Sequence, residues 1–100
     1  MKTSTRRTLE VVRRILVKDG WVQDKEHCDD GYCVTGACVR AAGGRNCFYH
    51  AVVNVLGSHL PDEYLAEWVL AASALVAFND EPDRVESDVF ALIDKALEER

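Results

Sequence analysis

Apolar residues recur at helical spacing along most of this chain, and one polar stretch interrupts them early. Leu9, Val12, Ile15 and Leu16 fall on one face of a helix expected over residues 5–19, with Arg13, Arg14 and Lys18 opposite. Ser4, Thr5 and Thr8 are alternative caps for its start. Asp19-Gly20 ends it, with Gly20 suited to a left-handed stop and Trp21 placed to pack back on Leu16. Residues 21–34 lose the helical period. Trp21, Val22, Tyr32 and Val34 favour strand, and Asp30-Gly31 is a turn dipeptide. A short irregular hairpin or an extended arm is expected there.

The helical period returns over residues 35–42, burying Ala37, Cys38 and Ala41 before Gly43-Gly44. Residues 46–56 place Phe48, Val52, Val55 and Leu56 on one side, with Asn46 as cap and Gly57 as stop. The strongest pattern spans residues 61–78. Pro61, Asp62 and Glu63 suit a helix start. Leu65, Trp68, Val69, Ala72, Leu75 and Val76 give this helix a wide apolar face, so a central, buried position is expected. A final helix over residues 85–98 buries Val89, Leu92, Ile93, Ala96 and Leu97. The expected fold is mainly α: one compact domain over residues 1–100, of four to five helices, with the hairpin or arm between the first two.

Three spaced motifs stand out. They are Gly20-Trp21-Val22-Gln23, then Cys33-Val34-Thr35-Gly36-Ala37 with Ala41-Ala42, then Phe78-Asn79-Asp80-Glu81-Pro82-Asp83-Arg84 ahead of Val89 and Leu92. In this order they resemble a family of small uncharacterised proteins of actinobacteria and their phages. The resemblance implies a shared fold and a cytoplasmic bacterial or phage setting, and brings no activity with it. The family pattern has Thr after the Arg; here the residue is Val85, which removes a Thr cap from the last helix. Physically, Phe78 to Arg84 reads as a structural turn. Phe78 anchors it, Asn79 and Asp80 bond nearby backbone N–H groups, Pro82 stops the helix, and Arg84 bridges back to Asp80.

Charge divides the chain. Residues 1–18 hold six bases and one acid, residues 61–100 eleven acids and three bases, and the net charge is -5. So few bases beyond the first helix disfavour nucleic acid as a partner. The basic helix is expected to complement the acidic last helix, within the fold or in a dimer. No apolar run approaches the roughly 18–20 residues of a membrane span. The basic start lacks the apolar stretch of a secretory signal, so a cytoplasmic protein with reduced thiols is expected.

Candidate chemistry is sparse. His27, Cys28, Cys33, Cys38, Cys47 and His50 are zinc-type ligands, but there is no C-x-x-C pair, and only Cys47 and His50 are spaced to share a helix face. Asn46-Cys47-Phe48-Tyr49-His50-Ala51 resembles the nucleophile box of ovarian-tumour-type deubiquitinases. It departs from that box at Gly44-Arg45, where the family has Asp-Gly, and no His follows His59 to serve as a distant base. Gly43-Gly44-Arg45-Asn46 lacks the length and the Lys of a phosphate loop. No cofactor, metal or catalytic residue is therefore expected, and a protein partner is. The candidate contact residues are Arg6, Arg13 and Arg14 on the first helix and Asp24, Glu26 and Tyr32 on the arm. Tyr49 is a further aromatic candidate. The apolar helix around Trp68 and Leu75 offers a homodimer surface. The alternative is a regulator that binds a metal or small molecule, or an enzyme built on Cys47.

Overall fold

The structure, a computed structural model, describes residues 1–99; Arg100, the last residue of the expected domain, lies outside the described residues. Helix α1, Thr3–Asp19, buries Leu9, Val12 and Leu16, the face its period predicts. It begins ahead of all three expected caps. Lys2 is the capping position and makes no side-chain cap bond, while the Thr8 hydroxyl turns back to the Ser4 carbonyl at 2.8 Å. Gly20 closes the helix by donating its N–H to the Leu16 carbonyl. Its φ of 97° and ψ of 166° are not the left-handed stop expected. They carry the chain straight into an extended arm, where the Asp30 carbonyl fills the space a Cβ would need. Trp21 accordingly leaves Leu16 and reaches toward residue 79.

The arm holds a two-stranded antiparallel hairpin, β1 His27–Cys28 and β2 Gly31–Tyr32. His27 pairs with Tyr32 and Cys28 with Gly31, so the two-residue loop is Asp29-Asp30, one position earlier than the turn dipeptide suggested. Helix α2, Val34–Ala42, follows at once, and Gly43 stops it in the left-handed region as expected. Gly36 is in its first turn because the arm crosses there: a Cβ at Gly36 would overlap the Glu26 carbonyl oxygen.

Helix α3 spans Asn46–Ser58. Asn46 is its first helical residue and not its cap, which is Arg45. Gly57 does not stop the helix. It lies inside the last turn, where a Cβ would stand 2.9 Å from that of Ala71, so it sets how closely α3 and the fifth helix approach.

The expected helix over residues 61–78 is divided. Helix α4 is Asp62–Glu67 and helix α5 is Ala71–Asp80, with Trp68 and Leu70 in extended backbone between them. The reason is tertiary. Tyr64 is buried and its ring meets Phe78 edge-on at 5.6 Å between centroids. On one straight helix those residues would be about 21 Å apart along the axis. The chain has to fold back to bring them together. Helix α6, Glu86–Leu97, buries Val89, Leu92, Ile93 and Ala96.

The fold is mainly α, as expected, with six helices among the described residues in place of four to five. Its core joins Leu9, Val12 and Leu16 to Val34 and Cys38, Val52 and Leu56, Leu75 and Phe78, and Val89 and Ile93. Burying each such large side chain contributes roughly 1.5–3 kcal/mol. Helices α1 and α6 are also joined by charge. Arg13 binds Asp94 through two hydrogen bonds, 2.7 and 3.2 Å, and lies over the Phe90 ring. Hydrogen bonding to Arg13 holds the Asp94 carboxyl below its ordinary value.

Candidate functional site

The three sequence motifs meet at the C-terminal end of α5. The hub is Asn79, almost wholly buried. Its Oδ1 accepts from Trp21 Nε1 at 2.6 Å and from the Val34 N–H at 3.0 Å. Its Nδ2 donates to the Val22 carbonyl at 3.1 Å and to Asp80 Oδ1 at 2.9 Å. Gln23 donates to the carbonyls of Asn79 and Glu81. Asp80 accepts from the Asp24 N–H at 2.9 Å, holding Asp24 at a φ of 66°. Cys33 Sγ accepts from the Gly36 N–H at 3.2 Å and so caps α2. The arm is thereby tied to α5 by the Trp21 and Gln23 side chains of the first motif, the Val34 N–H of the second and the Asn79 and Asp80 side chains of the third.

The turn after α5 is built around Arg84. Its guanidinium stacks over Phe78, 3.8 Å from the ring centroid, and donates to the Phe78 carbonyl at 2.9 Å and to the Tyr64 hydroxyl at 2.7 Å. The expected bridge from Arg84 to Asp80 gives way to these contacts; its nearest carboxylate is Asp88, at 3.8 Å. Pro82 lies in the turn closed by the Arg84 N–H on the Glu81 carbonyl. Burial raises the Tyr64 phenol above its ordinary value.

Beside this scaffold lies an apolar cleft of about 410 Å³. Thr35 of α2, Tyr49 of α3, and Ala72, Ser73, Val76, Ala77 and Asp80 of α5 form its walls, and Trp68 overhangs it. A second cavity of about 210 Å³ shares Thr35, Val76 and Asp80 with the first and runs out beneath Asp24, Lys25 and Glu26. The two make one groove, apolar at the Trp68 end and acidic at the arm. The division of the expected 61–78 helix exposes its surroundings. Trp68, Val69 and Leu70 are 39, 99 and 66% exposed in succession, and Val76 is 42% exposed. Single exposed apolar residues are ordinary; three consecutive ones beside a cleft are not.

The chain matches the model of a family of unknown function (DUF6197) over residues 1–99. The chain belongs to this family. No curated protein and no solved structure matches it. The family match spans the scaffold and the groove together.

The sequence-derived candidates separate in space. Asp24 and Glu26 reach the groove, as do Tyr49 and Asp80. Tyr32 is half-buried and stacks on His27 at 4.3 Å. Arg6 donates to the carbonyls of Leu97 and Glu99, and Arg13 to Asp94. Arg14 is exposed on α1. Leu75 is fully buried, which removes it from the suggested dimer surface and leaves Trp68.

Cys47 and His50 are exposed at the start of α3. His59, which follows the end of α3, bonds Glu99 at 2.8 Å. Twelve helical residues place it about 18 Å from Cys47, so the two do not pair. Among the described residues no three His, Cys, Asp or Glu side chains converge on a point where a metal ion would sit. Cys38 is wholly buried, and burial raises its thiol well above the ordinary value.

Val69 and Leu70 are exposed and Ala72, Ser73, Val76 and Ala77 line the cleft, where the sequence suggested a buried helix with a homodimer surface only around Trp68 and Leu75.

Proposed function

We propose that this protein acts by binding another protein through the groove between α2, α3 and α5 and the apolar segment Trp68–Leu70. The observation that carries this reading is the exposure of Trp68, Val69 and Leu70 in succession on a chain whose other large apolar residues mostly fill its core. Trp is enriched where binding energy concentrates in protein interfaces. The scaffold of the three motifs serves to hold the groove's α5 wall against the arm, and carries no chemistry. The cytoplasm of a bacterium, or of a phage-infected cell, is the proposed setting. Among the described residues no helix is long and apolar enough to cross a membrane.

A photo-crosslinking amino acid at position 69 or 76 tests this in native cells. Position 10, exposed on α1, is the control. One discrete adduct from 69 and 76, absent from 10, is expected. Equal labelling from all three positions, or none from 69 and 76, overturns the reading. A cleft of this volume also falls in the range of small-molecule sites. Adduct-free protein whose melting rises with a cell-extract metabolite fraction would point there.

A further inference from the structure

We infer that the partner segment is a basic amphipathic helix, seated with its apolar side against Trp68, Tyr49 and Val76 and its cationic end against Asp24, Glu26 and Asp80. This inference rests on the protein-contact reading and deepens it. The first support is the groove's charge polarity. Its apolar half is continuous, through Thr35, Val76 and Asp80, with an end that presents three carboxylates and one base, Lys25. Neither Asp24 nor Glu26 has an ion-pair partner among the described residues, where the ion pairs are Arg13–Asp94, His59–Glu99 and Arg84–Asp88.

Tyr49 also lines a neighbouring cavity with Arg45, which lies over the Phe48 ring. Cations of a partner are therefore drawn to the carboxylates of the arm and away from Arg45.

The second support is the kind of wall. Helices α2, α3 and α5 and the bent stretch 24–26 line the groove, and among the described residues neither β1 nor β2 lines it. A partner strand would find no backbone ladder to extend. A helix laying one apolar stripe between helices meets what is there.

The test uses the full chain labelled with nitrogen-15 and two synthetic helical peptides of equal length, one of Leu and Lys and one of Leu and Glu. The Lys peptide is expected to shift the amides of Thr35, Tyr49, Ala72 and Val76 together with Glu26. The Glu peptide is expected to leave them unmoved. The pair Asp24→Asn with Glu26→Gln keeps both backbones and should weaken the Lys peptide three- to tenfold at low salt. The difference should shrink as salt screens the charges. Val76→Asp should weaken it at every salt concentration. A melting curve for each variant shows that the fold is retained.

Equal binding of both peptides, shifts spread over the acidic faces of α4 and α6, or no effect of the charge pair overturns the basic-helix inference. If crosslinking from positions 69 and 76 is nonetheless specific, the protein-contact reading stands without it. Concentration-dependent self-association of the chain alone, abolished by Val69→Asp, would make the occupant a second copy and likewise overturn the inference.

Discussion

Asn79 offers the sharpest test of how this fold is held. Replacing it with Ala removes the acceptor for the Trp21 indole and the Val34 N–H and the donor to the Val22 carbonyl. Val34 is wholly buried, so its N–H finds no water, and one such orphan costs about 1–3 kcal/mol. Trp21 and Val22 are half-buried and recover part of their bonding from solvent, at about 0.5–1.5 kcal/mol each. The sum is about 2–6 kcal/mol. For a domain of this length that lowers Tm by roughly 10–45 °C.

Asn79→Asp is the more discriminating variant. It keeps both acceptor bonds but puts an oxygen where Nδ2 faces the Val22 carbonyl and Asp80 Oδ1. Burial and the neighbouring Asp80 then favour the protonated acid in the folded state. The new carboxyl's folded pKa is raised above its unfolded value of about 3.9. Its variant is therefore least impaired below that value and loses stability as pH rises through the folded pKa. Urea unfolding followed by circular dichroism from pH 4 to 8, against wild type, measures this. Asn79→Ala within about 0.5 kcal/mol of wild type, or an Asn79→Asp deficit that does not change with pH, would refute the hub.

Three other predictions follow from single contacts. Val85 precedes α6 with no side-chain cap, although its N–H is already bonded by Asp88. Val85→Thr supplies the missing acceptor and should stabilise the protein by about 1 kcal/mol, read as a Tm rise of roughly 4–8 °C. Asp94→Asn breaks the Arg13 pair. Both side chains are near half-exposed, so the loss at pH 7 should stay under about 1 kcal/mol. The Asp94 carboxyl is depressed in the fold, so its contribution is present above the ordinary carboxylate value and vanishes as pH falls through the lower folded one. Wild type and variant should converge in acid, and curves that stay parallel would contradict the assignment. Finally, a brief thiol alkylation of native protein should mark exposed Cys47 first and Cys28 more slowly. Buried Cys33 and Cys38 should react only in denaturant, as mass spectrometry of the adducts can show.

Periodicity alone placed α1, α2, α3 and α6, because each turns one apolar face to a single core and the 3.6-residue repeat records that directly. The arm between α1 and α2 was legible from the loss of that repeat, and the stops at Gly20 and Gly43 from their residue type. The three motifs were visible as a set, but not their meeting point. Asn79 lies 58 residues from Trp21 and 45 from Val34, and hydrogen bonds across such spans leave no local pattern. Residues 61–78 show the limit most clearly. Their apolar run specifies helix and burial with equal force, yet the chain folds back at Trp68–Leu70 so that Tyr64 can reach Phe78 and Arg84. Closing that contact turned three apolar side chains outward and opened the groove. Composition determined that these residues are hydrophobic; only the tertiary contacts decided that they lie at the surface and not in the core.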